Sequence, residues 1–227
     1  MARPKNNETR EKILKNAYSR FLTYGYDGVY LKEIAEDTGI TATLLHHYFP
    51  AKADLVIHII YDLLLKTQDY LKEKYHAKEH APVNGFSLSL AMITYMFDVL
   101  ARNNGQMLSV YSYVLCDTKL MNEIVDFCCD TISMPETVDT VEKRYGQFIF
   151  WGGASQMIVL YLKRRLPFSI REGLIQLYCQ FMTSIGMTDE EQSFVLSECD
   201  KITQQNDLDE FYDKYIRSID HFIYCEW

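Results

Sequence analysis

The stretch LKEIAEDTGITATLLHHYFPAK, Leu31–Lys52, decides how the chain is read. Leu31, Ile34 and Ala35 stand at i, i+3 and i+4, the spacing that puts apolar side chains on one helix face. Gly39 closes that helix, because glycine takes a left-handed backbone at no steric cost. Ile40 follows as an apolar plug. Thr41 has the side chain of an N-cap, and Leu45, Tyr48 and Phe49 give a second helix its buried stripe. Pro50 stops that helix and opens another. Two short helices joined by a tight glycine turn predict a helix-turn-helix. Such a unit lays its second helix in the DNA major groove, its N-terminal residues on the base edges.

Working outward, Ile13, Ala17 and Phe21 are spaced by four in a preceding helix over Thr9–Thr23, which Gly25 ends. Met1–Asn7 is a polar, basic arm. Lys52–Tyr75 reads as one long helix with Leu55, Ile59, Leu63 and Leu64 on its apolar side. From Gly85 onward the pattern is helical throughout, with no sustained alternation of apolar and polar residues. The expected helices are Phe86–Arg102, Gln106–Cys116, Lys119–Ile132, Glu136–Arg165, Ile170–Ile185, Asp189–Gln204 and Leu208–Tyr224. Thr188 with Glu191 spells a capping box. The fold class is therefore all-α: a three-helix N-terminal helix-turn-helix domain, residues 1–52, joined to a larger helical domain, residues 53–227.

The segment Thr9–Leu55 resembles the DNA-binding domain of the tetracycline-repressor (TetR) family of bacterial transcription regulators. The resemblance rests on Ile13-Leu14 with Ala17 and Phe21, Gly25-Tyr26, Ile34-Ala35, Gly39-Ile40 and His47-Tyr48-Phe49-Pro50-Ala51-Lys52. It covers about a fifth of the chain. It implies a homodimeric repressor on a palindromic double-stranded operator, released by a small-molecule effector bound in the second domain. It also implies that two late helices from each subunit pack as a four-helix bundle. Carried over by order, these are Glu136–Arg165 and Ile170–Ile185, with Phe148, Gly152, Ser155, Val159, Leu162, Leu174, Leu177, Tyr178 and Phe181 as interface candidates. Lys163-Arg164-Arg165 would then sit favourably at a helix C-terminus.

Candidate DNA contacts follow from position and chemistry. Thr41, Ala42 and Thr43 occupy the first turn, where hydroxyls and methyls meet base edges. His46 and His47 lie one turn on. Tyr48 offers a hydroxyl to phosphate, Lys32 opens the first helix of the motif, and Lys52 stands at a helix start suited to phosphate. The resemblance departs at Ala42, Thr43, Leu44 and His46, so the operator sequence does not carry over; Leu44 lacks a hydroxyl for a backbone contact.

The net charge of −8 looks wrong for a DNA binder until the chain is divided. Residues 1–52 hold eight Lys/Arg against six Asp/Glu, so they carry +2 and the remainder −10. An acidic body repels phosphate and presents the molecule basic end first. Hydrophobic residues at 48% exclude a disordered chain. No apolar leader opens the sequence, and six cysteines show no framework spacing, so a cytoplasmic protein with reduced, mostly buried thiols is expected.

The second domain is rich in methionine and aromatic side chains. Met92, Tyr95, Met96, Met107, Tyr111 and Trp151 are ordinary core residues or the lining of an adaptable apolar pocket for a mostly apolar effector. Tyr145–Leu162 is the longest uncharged run, but its three glycines, two glutamines and serine argue for a buried helix rather than a membrane span. His76, Glu79 and His80 spell H-x-x-E-H, a metal-site pattern that needs a continuous helix, and Pro82 lies two residues on. No catalytic or cofactor motif is recognised. Two other classes remain: a DNA-binding adaptor whose body holds a protein, and a metal-dependent enzyme using that His/Glu set.

Overall fold

A computed structural model describes residues 6–79, 83–103, 105–131, 140–204 and 208–217. These form eleven α-helices and one π-helical turn, with no strand among the described residues. The head comprises α1 (Asn7–Tyr24), α2 (Leu31–Thr38) and α3 (Ala42–Tyr48). Helix α4 (Lys52–Glu79) runs from the head into the body. The body holds α5 (Gly85–Asn103), α6 (Gly105–Leu115), α7 (Thr118–Thr131), α8 (Thr140–Leu162), α9 (Ile170–Ser184), α10 (Asp189–Gln204) and α11 (Leu208–Phe211). The π-helical turn Tyr212–Ile216 follows α11.

Local chemistry sets the helix ends in the head. The Asn6 side chain accepts from the Glu8 amide and caps α1, and Gly25 ends it at φ 69°. Gly39 ends α2 at φ 74°, and the Ile40 amide donates back to the Ala35 carbonyl, closing the turn. Thr41 caps α3 by accepting from the Leu44 amide at 3.2 Å. Packing then fixes the three helices together: Ile13, Ala17 and Phe21 of α1, Ile34 of α2, and Leu45 and Phe49 are all fully buried.

In the body, α5 lies at the centre, packed by α4, α9 and α10, while α8 packs on α6, α7 and α9. Close approach of α8 and α9 uses small residues. A Cβ at Gly153 would stand 2.6 Å from Leu177, and one at Gly173 would stand 2.0 Å from the Met157 sulfur. The last described segment, α11 and the π-helical turn, closes the core. Phe211 is fully buried against Tyr70, Tyr95 and Tyr215, and the Tyr18 hydroxyl of α1 donates to the Ile216 carbonyl at 2.5 Å. Head and C-terminal turn are thus directly joined.

Three boundaries among the described residues differ from expectation by more than two residues. Helix α4 extends to Glu79, past Tyr75. Helix α8 stops at Leu162 because Arg164 adopts φ 53°, and the Arg165 amide folds back to the Leu160 carbonyl. Lys163-Arg164-Arg165 therefore form the turn after the helix rather than its last residues. The last helix breaks into α11 and the π-helical turn, and residues beyond 217 lie outside the described part. The expected start of α8 at 136 also lies outside it. No helix among the described residues is long and apolar enough to cross a membrane.

Candidate nucleic-acid interface

Helix α3 has one anchored side and one free side. Leu45, Tyr48 and Phe49 face the head core, while Thr41, Ala42, Thr43, Leu44, His46 and His47 are exposed. The exposed set spans the N-terminal turn and the outer face, the surface that a groove-reading helix presents. Thr43 makes no hydrogen bond among the described residues, whereas Thr41 is committed to the cap. The His46 Nδ1 lies 3.2 Å from the Pro50 carbonyl, which leaves Nε2 outward when Nδ1 carries the proton. His47 stacks edge-on to Tyr48 and is otherwise in solvent. Leu44 is 39% exposed on the same face. It has no hydroxyl for a backbone contact, yet an exposed leucine there can meet thymine methyls.

The second helix of the head is braced from behind. Arg20 of α1 pairs with Asp37 at 2.5 Å and Glu33 at 3.0 Å, holding the Asp37 carboxyl below its ordinary range. Asn16 donates to the Thr38 hydroxyl at 3.0 Å. Among the described residues Lys32 reaches only Glu36, at 3.8 Å, with its side chain 81% exposed, and so remains available to phosphate.

Two candidates are placed otherwise. Tyr48 is buried, and its hydroxyl accepts from the Asn6 amide at 2.8 Å, pinning the start of α1. Lys52 turns inward: its ammonium donates to the Tyr26 carbonyl at 2.6 Å and the Val29 carbonyl at 3.0 Å and lies 4.1 Å from the Tyr26 ring centroid. Burial lowers its pKa, and the nearby Asp27 partly opposes this. The Lys52 charge fastens the α1–α2 turn. Lys52→Ala should therefore cost about 1.5–3 kcal/mol, the range for hydrogen bonds to a charged group. Lys32→Ala should leave thermal stability unchanged and weaken binding to any duplex. Paired thermal melts and duplex titrations of the two variants check this contrast.

The dimer candidates split by face. On α8, Val141, Tyr145, Phe148, Ile149 and Leu160 form an exposed apolar stripe, and Gly152 and Val159 lie along it half-buried. Leu162 and Leu177 are half-buried, Leu177 against Gly153. Leu174, Tyr178 and Phe181 are buried within their own protomer, as is Ser155, whose hydroxyl donates to the Gly152 carbonyl. Leu174, Tyr178 and Phe181 of α9 are thus taken up by packing within the protomer, while Leu177 keeps part of its surface outside.

Met92, Tyr95, Met96, Met107, Tyr111 and Trp151 are all buried in the body core. Tyr95 belongs to the ring cluster of Tyr70 and Phe211, whereas Trp151 packs on Phe97 and Phe150. The Tyr111 hydroxyl and Trp151 Nε1 are buried without a hydrogen-bond partner among the described residues. Burial raises the Tyr111 pKa well above its usual value, so the phenol keeps its proton and its capacity to donate. Phe211 and Tyr215 enter this region from the C-terminus, a placement that no local signal in the sequence marks.

Among the described residues no group of three His, Cys, Asp or Glu could hold a metal. His76 is exposed, and His80 lies outside the described part. Cys128 and Cys199 are buried, Cys179 is half-buried and Cys116 is exposed.

Residues 13–59 match the family model for bacterial regulatory proteins of the tetR family. A probable HTH-type transcriptional regulator, YttP of Bacillus subtilis, is 26% identical over 120 residues, 52% of this chain and 56% of that protein. The chain thus matches little more than half the length of that relative. Among solved structures, FadR of Thermus thermophilus, a TetR-family transcriptional repressor in complex with lauroyl-CoA, has a TM-score of 0.51 at 13% identity. It covers 79% of this chain and 96% of that one. The fatty acid degradation regulator FadR of Bacillus halodurans has a TM-score of 0.43 at 14% identity, covering 81% and 100%. At 13% identity the likeness to the Thermus thermophilus structure concerns the fold.

Proposed function

We propose that this chain, whose residues 13–59 match the family model for bacterial regulatory proteins of the tetR family, acts as a ligand-released transcriptional repressor. It binds a palindromic operator as a homodimer, residues 1–52 reading DNA and residues 53–227 dimerising and sensing. The observation that carries this reading is the two-sided α3, free over Thr41–Leu44 and anchored by Leu45, Tyr48 and Phe49. Thr43, Ala42 and Leu44 read bases, Thr41, His46 and His47 extend the contact, and Lys32 holds phosphate.

The test is selection of bound duplexes from a random pool with the full-length protein. Enrichment of a two-fold-symmetric site, with half-sites about one helical turn (~34 Å) or a multiple apart, is expected. Enrichment of nothing, or of a single unrepeated site, overturns the reading.

The exposed stripe on α8 supports dimerisation, since an apolar surface of that length is costly in water and rimmed by polar residues marks an interface. Phe148→Glu with Ile149→Glu should convert dimer to monomer in sedimentation. It should also remove operator binding at concentrations where the unaltered protein binds, while leaving the helical signal intact.

The effector is a mostly apolar molecule bearing a hydrogen-bond acceptor. Two buried donors, Tyr111 and Trp151, sit in a core that also holds Met92, Met96 and Met107, whose flexible side chains can repack around a guest. Lauroyl-CoA, which the Thermus thermophilus structure carries, is the first ligand to try, its acyl chain supplying the apolar part and its thioester carbonyl the acceptor. A ligand that prefers a body shape with the wrong head spacing releases DNA in proportion to that preference.

A further inference from the structure

Where the head meets the body, a cavity of about 360 Å³ opens away from the methionine-rich core. Its apolar walls include Phe49, just past α3, Tyr61 of α4 and Phe127 of α7. Tyr61 and Phe127 stack at 4.0 Å with their planes 12° apart. Three carboxylates line the same cavity: Asp54 of α4 and Glu123 and Asp126 of α7.

The charges facing it are unevenly neutralised. Asp54 gives one oxygen to the Ala51 amide at 2.7 Å and has no ion-pair partner among the described residues. Among the described residues Glu123 meets only Lys119, at 4.0 Å, whose side chain is 84% exposed. Asp126 pairs with Arg144 at 2.8 Å, both side chains about half exposed. His58 also lines the cavity, and its ring nitrogens lie 3.0 and 3.3 Å from the Arg10 guanidinium. Arg10 also stands over the Phe49 ring, 5.7 Å from its centroid, a protein cation already seated on one wall. An apolar, aromatic chamber with surplus carboxylate suits one class of guest. Ring faces attract cations, and the carboxylates add charge complementarity. The volume lies within the range of small-molecule sites. The same charges repel an anion such as a coenzyme A thioester.

We propose that this cavity is a second ligand site, for a monovalent organic cation with a flat aromatic body. Its position gives it leverage. The guest bridges the turn leaving the recognition helix and α7 of the body, so its occupancy biases the angle at which the head is held.

The test uses full-length protein and a matched pair of probes, 1-naphthylmethylammonium and the neutral 1-naphthylmethanol, titrated by calorimetry at low salt. The cation should bind at least about tenfold more tightly than the alcohol, as a desolvated cation–π contact with carboxylate support implies. Asp54→Asn with Glu123→Gln should remove that advantage and leave the alcohol unchanged. Asparagine at this third position of α4 keeps a side-chain oxygen that can accept from the Ala51 amide, so the helix start is retained. A thermal midpoint equal to that of the unaltered protein verifies the fold. Tyr111→Phe, in the body core, should not alter cation binding. Equal affinity for the two probes, or a cation preference that survives the double substitution, overturns the proposal. Loss of the preference in Tyr111→Phe overturns it too, by moving the cation to the core.

Discussion

Thr43→Glu is expected to lower operator affinity by about a hundredfold or more, ~2.7 kcal/mol, without loss of stability. Thr43 is exposed in the first turn of α3 and bonded to nothing among the described residues, so no native contact is lost. A carboxylate near a helix N-terminus is favourable to the helix itself. In the major groove the same carboxylate stands among phosphates in a site whose affinity comes largely from counterion release. Stability and binding should therefore separate. Fluorescence anisotropy on a selected duplex reads the affinity, and circular dichroism melting reads the fold. Full binding by a stably folded Thr43→Glu protein would show that α3 is not the reading helix.

The second large effect concerns two glycines six residues apart on α8. Gly146→Ala places a methyl 2.2 Å from the Phe181 ring. That ring is fully buried and held by Tyr178 at 5.2 Å and Phe86 at 6.2 Å, so it has little room to move. Overpacking of this kind costs about 1–3 kcal/mol or more, and removing a helical glycine returns up to about 1 kcal/mol. A net loss of about 2 kcal/mol corresponds to a fall of roughly 4–8 °C in Tm for a chain of this size. Gly152→Ala meets nothing within 4 Å in the protomer and should raise Tm by roughly 2–4 °C. Calorimetric scans at one fixed protomer concentration compare the two. If Gly152→Ala lowers Tm, but raises it in the Phe148→Glu, Ile149→Glu background, position 152 lies in the subunit contact.

These two positions show how far sequence pattern reaches. The three glycines of the uncharged run look alike in the sequence, yet Gly146 meets Phe181, Gly153 meets Leu177, and Gly152 faces open space in the protomer. A glycine's neighbour belongs to another helix, and no spacing within α8 encodes it. Lys52 and Tyr48 carry the same lesson. At a helix start a lysine is equally suited to phosphate and to buried carbonyls. The choice fell to Tyr26 and Val29, 26 and 23 residues away. Tyr48 found the Asn6 amide 42 residues upstream.

Where a contact closes within about four residues, the amino-acid order was sufficient. Gly39 ended α2, Thr41 capped α3, and the period of Leu31, Ile34 and Ala35 placed the helix-turn-helix and its free face. Backbone geometry and short hydrogen bonds depend on immediate neighbours, and those are written in the chain. Which apolar face meets which was decided only on folding. Leu174, Tyr178 and Phe181 turned inward because α5 and α8 reached them first, leaving the α8 stripe outside. The cavity between Phe49, Tyr61 and Phe127 likewise exists only because three distant segments converge. Burial is a property of the whole packing, and a one-dimensional pattern can propose a face without naming what covers it.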